Sequence, residues 1–237
     1  MFDFTNQVVL ITGAAGNLGE AAVRAFYDAG ASLALVDNRP DRLPQLFGSL
    51  DPARVLLVGG VDVTEETAVT HMTTTILNRY GRVDILCNIA GGFKMGTAVH
   101  ETPLADWEFL LNLNARSIFL VSRAIIPHML SQGSGKIISV AARAALEGKA
   151  NMAAYTVSKS AVIRLTESMA AELKDKGITV NCILPGTIDT PQNRTAMPKA
   201  SFDKWVAPEA LADVILFLAS DAARAVTGAA VPVYGRS

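Results

Sequence analysis

Seven short runs of aliphatic and β-branched residues, at 8–12, 32–36, 55–58, 83–87, 136–140, 179–184 and 230–233, do most to limit what this chain can fold into. Most are apolar almost throughout and do not alternate with polar residues, as strands buried on both faces require. Between them lie helical patterns at 18–29, 65–80, 104–130, 152–176 and 209–219. Gly30, Gly81 and Gly177 each follow a helical pattern, where a left-handed cap is wanted, and Thr64 is placed to cap the second pattern at its start. Strands separated by helices imply right-handed crossovers and a parallel sheet. The expected architecture is α/β, a doubly wound parallel sheet of about seven strands flanked by helices, in a single domain spanning 1–237. The stretch 187–207 holds Pro191, Met197, Pro198, Phe202 and Trp205, is long for a plain connection, and is expected to be a substrate lid.

Composition removes several classes of partner. Half of the 237 residues are hydrophobic, and the net charge of -1 gives no electrostatic reason to expect nucleic acid or an anionic membrane. The opening stretch carries Asp3 and no basic region, and runs straight into a strand, unlike a signal peptide. No uninterrupted apolar run reaches the roughly 18 residues that span a bilayer, so a cytoplasmic protein without a membrane partner is expected. Cys87 and Cys182 each lie in an apolar run and are expected as buried free thiols. His71, His100 and His128 share no ligand spacing with each other or with the cysteines, so no metal site is expected.

Two places carry chemistry. The first strand ends in Thr12-Gly13-Ala14-Ala15-Gly16-Asn17-Leu18-Gly19 and opens a helix. Glycines there allow a tight turn and close approach of backbone to a pyrophosphate facing the helix N-terminus. Asp37 ends the second strand, where a carboxylate can accept the ribose hydroxyls of an adenosine and repel a 2′-phosphate. NAD is therefore favoured over NADP, with Arg39 expected as an exposed turn residue. The second place is Tyr155 and Lys159, four apart on one helix face. An ammonium beside a phenol is expected to lower the phenol's pKa and fit it for proton transfer to a carbonyl. Alone, a Tyr-x-x-x-Lys pair is a weak signal.

Accompanied, it is not weak. Taken in order, these motifs resemble the short-chain dehydrogenase/reductase family over essentially the whole chain. Gly13 to Gly19 resemble its cofactor loop, with Asn17 where a second glycine is usual. Asp62-Val63 falls where the family contacts adenine, and Asn88-Ile89-Ala90-Gly91 resembles its Asn-Asn-Ala-Gly turn. Asn114 falls at the family's structural and proton-relay asparagine, and Tyr155 and Lys159 at its catalytic pair. Pro185-Gly186-Thr187-Ile188-Asp189-Thr190 resembles the turn that holds the nicotinamide amide. The resemblance implies a Rossmann-type sheet, NAD(P)-linked hydride transfer, Tyr155 as acid/base, and Lys159 on the nicotinamide ribose. It also implies that Asn114 holds a water linking Lys159 to solvent.

One departure changes the expected substrate. The family's catalytic serine lies thirteen residues before the tyrosine, and that position here is Ala142. Ser139 lies on the preceding strand, where a structural role is expected. The dihydropteridine reductase branch also carries alanine at that position. Cys87 to Phe93, Ala144 to Leu146, and the lid residues Asp189 to Pro191, Asn193, Arg194, Met197, Pro198, Phe202 and Trp205 resemble that branch. Phe93, Ala142 and Trp205 are accordingly expected to line the substrate pocket. The substrate is expected to be a small carbonyl, hydroxyl or quinonoid molecule; a catalytically weakened dinucleotide-binding sensor or scaffold is the alternative. The long helices at 104–130 and 152–176 are apolar beyond one face and imply a homodimer or homotetramer.

Overall fold

The computed structural model describes residues 2–236. Seven parallel strands form one sheet: β1 (Val8–Thr12), β2 (Ser32–Asp37), β3 (Val55–Gly59), β4 (Ile85–Asn88), β5 (Gly135–Val140), β6 (Ile178–Pro185) and β7 (Ala230–Val233). Their order is β3-β2-β1-β4-β5-β6-β7. The chain therefore winds outward from β1 in one direction and restarts beside β1 in the other. In a doubly wound sheet, the crevice at that reversal, beyond the strands' C-terminal ends, is where ligands bind.

The unbroken apolar runs follow from the layering. Val9 and Ile11 of β1 and Leu33 and Leu35 of β2 enter one core with Phe4, Phe26, Leu211 and Ile215. Their neighbours Leu10, Ala34 and Val36 face the opposite way, onto Met72, Ile76, Ile125, Met129 and Leu173. Because successive side chains on a strand alternate faces, both positions must be apolar when helices cover both faces. The first face is covered by α1 (Asn17–Asp28), followed along the chain by the short α2 (Arg42–Phe47). Helix α3 (Glu66–Tyr80) lies on the second face, as do α4 (Leu104–Leu111), α5 (Ser117–Gln132) and α6 (Ala153–Leu173). The first face is completed by α8 (Pro208–Ala219), which packs along α1, and α7 (Pro191–Ala196) lies in the 187–207 segment.

Several local expectations need correction. The pattern at 104–130 is not one regular helix: Asn112–Arg116 form a π turn between α4 and α5. The combined helix Leu104–Gln132 is long and apolar enough, by length and composition, to cross a membrane. Much of that apolar content is used inside the protein, where Ile118, Leu120, Val121, Ile125 and Met129 are buried. Thr64 does not cap α3; its amide and hydroxyl both bond to the Asp62 carboxylate, and Glu65 takes the cap position. The sequence also hid α2, because Pro44 discourages a helix; here it lies in the first turn, where its missing N–H removes no helical bond. The 187–207 segment is partly regular, with α7 capped by the Thr190 hydroxyl, a 3-10 turn at Phe202–Lys204, and a bridge pairing Ile188 with Val206. Cys87 and Cys182 are buried free thiols.

Candidate active site

A cleft of about 1260 Å³ runs across the C-terminal ends of the strands. That exceeds an ordinary small-ligand pocket of about 300–1,000 Å³ and leaves room for a dinucleotide beside a small substrate. At one end lies the glycine-bearing loop. Gly13 has φ +66, and a Cβ there would come within 2.8 Å of the Ala90 backbone. A Cβ on Gly19 would lie 2.1 Å from the Gly13 carbonyl oxygen. Both positions thus exclude side chains, which keeps the loop low and the start of α1 open to the cleft.

Asp37 sits nearby at the end of β2, buried, and its carboxylate is fully engaged. Oδ2 accepts from Ala15 N at 3.0 Å and from the Arg39 guanidinium at 3.3 Å. Oδ1 accepts from Arg39 N at 3.1 Å and Nε at 2.9 Å. Burial raises its pKa, but the bonds from Arg39 and Ala15 and the Arg39 charge outweigh burial and hold it below the usual carboxylate value. Arg39 is therefore not a plain turn residue: it covers the carboxylate expected to meet a ribose, and it lines the cleft. Gly16, Asn17, Leu18, Asp62, Val63, Ala90, Gly91, Pro185, Gly186, Ile188 and Thr190 line the same cleft. These features fit a nicotinamide dinucleotide, with its pyrophosphate over the glycines and its adenosine toward Asp37.

At the other end α6 presents Tyr155 and Lys159 to the cleft. The expected pairing of these two is not what the geometry holds. Lys159 is buried, and Nζ donates to the Val140 carbonyl at 2.8 Å. Burial alone lowers its pKa to about 8 against a small opposing effect of Cys182. Burial likewise pushes the Tyr155 phenol up to about 12 instead of down. Gly91 makes room for the lysine, since a Cβ there would lie 3.2 Å from Nζ.

Asn114 is fully buried in the π turn, and its carboxamide is spent on protein. Oδ1 accepts from Gly92 N at 2.9 Å, while Nδ2 donates to Gly92 O and to Ser158 Oγ, each at 3.0 Å. Ala142 lies on the cleft wall with Phe93. Ser139 does not replace the missing hydroxyl: it is fully buried, and its Oγ accepts from Asn88 Nδ2 at 3.3 Å. Three expected site residues lie outside the cleft lining: Asn114, whose carboxamide is bonded as above, Asn88 and Trp205. The Asn88 side chain turns inward to Ser122 and Ser139, because strand alternation points it to the buried face. Trp205 packs on Phe202 at 4.8 Å between ring centroids, using the 187–207 segment's own aromatic cluster. Among the described residues no group of three or more His, Cys, Asp or Glu side chains could hold a metal.

The sequence pattern of the family described as short chain dehydrogenase matches residues 7–201. The chain belongs to that family. Dehydrogenase/reductase SDR family member 6 of Danio rerio is 35% identical over 244 residues, covering 97% of this chain and 96% of that protein. The 3-oxoacyl-(acyl-carrier-protein) reductase FabG of Thermotoga maritima is 32% identical over 242 residues, with 97% and 96% coverage. The solved structure of NAD+-bound xylitol dehydrogenase matches with a TM-score of 0.90 at 28% identity, over 98% of this chain and 99% of that one.

As a short chain dehydrogenase, this chain uses its unusual residues in definite ways. Asn17 donates to Gln192 Oε1 at 3.0 Å, joining the cofactor loop to α7 across the cleft. Ile89 packs against the core beneath the turn that holds Ala90 and Gly91. Ala142 presents only a methyl group. Sequence reasoning missed Ser158, Arg143, Lys149 and Met152, whereas Met197, named in the 187–207 segment, does line the cleft; a buried serine inside an apolar helix signals the first, but no local pattern marks the others.

Proposed function

We propose that this short chain dehydrogenase is an NAD-preferring oxidoreductase of a small carbonyl, hydroxyl or quinonoid substrate. The observation that carries this is the single cleft joining the Asp37 end to Tyr155 and Lys159. A bound nicotinamide dinucleotide would supply or accept the hydride. Asp37 would take the adenosine ribose once Arg39 swings aside, and Lys159 would reach the second ribose from its place on Val140. Tyr155 would hold the transferable proton at its phenolic oxygen, which is protonated through neutral pH as a donor for reduction requires, while burial pushes its pKa up to about 12. Asn114 would fix the Gly92 turn beside both side chains and hold the path by which Lys159 meets water.

The bare methyl of Ala142, with Ser139 sealed beneath it, favours an acceptor that spreads its developing charge, as a quinonoid dihydropterin does. Exposed Leu104, Phe109, Phe119 and Val157 on α4, α5 and α6 favour a dimer or tetramer through these helices. The test of the central reading is oxidation of NADH in the presence of simple ketones, alcohol-derived carbonyls and quinonoid dihydropterin. Turnover that collapses in Tyr155→Phe supports it. An inert wild type that still binds NADH tightly would favour the sensor or scaffold role.

A further inference from the structure

Phe93 is a large aromatic left half-exposed in a loop without regular structure, at 54% of its full accessible surface. Its ring meets Tyr155 edge to face, with centroids 4.9 Å apart and planes at 89°. The loop on which it stands is not free to drift. Gly92, immediately before it, is gripped through both N–H and C=O by the Asn114 carboxamide. Beyond it, Lys94 pairs with Asp106 at 2.6 Å and Gly96 N bonds to Asn151 O at 2.9 Å. The same Asn114 amide donates to Ser158, whose hydroxyl donates to the Tyr155 carbonyl at 2.8 Å. Tyr155 is thus held at both ends by one circuit, its backbone through Ser158 and its ring through Phe93, with Asn114 joining the two.

We propose that Phe93 is a positioning residue for Tyr155, fixing the angle of the phenol in the cleft and shielding one side of its ring from water. This rests on Tyr155 being the proton carrier. Rings of this kind prefer the edge-to-face arrangement because the positive edge of one meets the negative face of the other. That preference sets an angle, whereas an aliphatic contact would set only a distance. Shielding acts in the same direction as the burial that raises the phenol's pKa. The charged groups around the ring are Lys159, turned to Val140; the Lys94–Asp106 pair, which borders a small cavity with Tyr155; and Arg143 and Lys149 across the cleft. Substitution of Phe93 leaves all of them in place.

The experiment compares wild type, Phe93→Ala and Phe93→Leu, with Tyr155→Phe as the spectroscopic blank. In cofactor-free protein, ultraviolet difference titration against Tyr155→Phe follows ionisation of the Tyr155 phenol alone. Phe93→Ala is expected to ionise at lower pH than wild type, with NADH Kd within about twofold and kcat down about 3- to 10-fold, the scale of one aromatic pair. Phe93→Leu, which keeps apolar bulk without a ring edge, is expected to recover the titration more fully than kcat. If Phe93→Ala raises only the KM of a planar substrate and leaves titration and kcat unchanged, Phe93 is a substrate platform and the proposal is wrong. If the alanine variant does not fold, an unchanged titration and kcat in Phe93→Leu overturns the proposal equally. The titration requires no turnover, so loss of the oxidoreductase reading is told apart from loss of this one.

Discussion

Replacing Ala142 with serine returns one oxygen to the wall of the cleft opposite Tyr155. The backbone there is extended, with φ -165 and ψ 157, which a serine adopts freely, and the position lies two residues beyond the end of β5. A donor aimed at a developing oxyanion is worth about 2.7–4 kcal/mol, or 10²–10³ in rate, when its geometry is preorganised. A newly placed hydroxyl rotates and shares its hydrogen with water, so a gain of about 10- to 100-fold, roughly 1.4–2.7 kcal/mol, is expected for simple activated ketones. Nothing beneath it competes for the role, since Ser139 is sealed and bonded to Asn88. A quinonoid acceptor spreads negative charge over its ring system, so its kcat/KM should change less than about threefold. Steady-state NADH oxidation with both substrate classes, in wild type and Ala142→Ser, measures the difference directly. Wild-type ketone reduction as fast as the serine variant's would refute the reasoning, because another donor would then already fill the place.

Asp37→Ala should narrow the preference for NADH over NADPH by about 10- to 100-fold, the worth of hydrogen bonds to a charged group, as measured by fluorescence titration of each. Tighter NADPH binding by wild type would instead make Arg39 the reader of the cofactor. Tyr155→Phe should leave NADH binding within about twofold and lower turnover by roughly 10²-fold or more; full activity would mean that water supplies the proton. Lys159→Met should abolish turnover yet raise Tm near neutral pH by a few degrees, at about 2–4 °C per kcal/mol, because a buried ammonium is replaced by an apolar chain. The folded pKa of that lysine, about 8, lies below its ordinary 10.5, so the folded state binds fewer protons between those values. The cost of burying the charge is present below pH 8 and relieved as pH rises toward 10.5, so the Tm gap should close across that window. Light scattering should show a dimer or tetramer at micromolar concentration, and a 25.1 kDa species would exclude one.

The sheet was legible because burial on both faces leaves a mark that no local accident erases: Val8 to Ile11 and Leu33 to Val36 are apolar at every step. That the glycine-bearing loop and the helix face of Tyr155 and Lys159 would border one cleft was legible because backbone geometry and helical spacing fix where each stands. What the sequence hid was contact between distant segments. Nothing near Phe93 announces Tyr155, nothing near Lys159 announces the Val140 carbonyl, and Arg39 reads as a turn residue until its guanidinium is seen on Asp37. The expected depression of the Tyr155 pKa assumed that spacing on a helix face implies interaction. Spacing brings two side chains near each other, but burial and hydrogen-bond partners decide where each one points.

The π turn at Asn112–Arg116 has a consequence for how this helix can change over time. An α-helix advances about 100° per residue, and a π turn carries one residue more than the same turn of α-helix. Deleting a single residue there would restore a regular helix while leaving Leu104–Leu111 and Ser117–Gln132 on nearly their present faces. Asn114, inside the turn, would lose the bulge that carries it to Gly92 and Ser158, whereas the outward row that includes Phe109 would keep its direction. One length change would thus reach the buried asparagine beside the cleft and spare the outer surface, whereas an exchange of side chains along α4 acts on whichever side that residue faces.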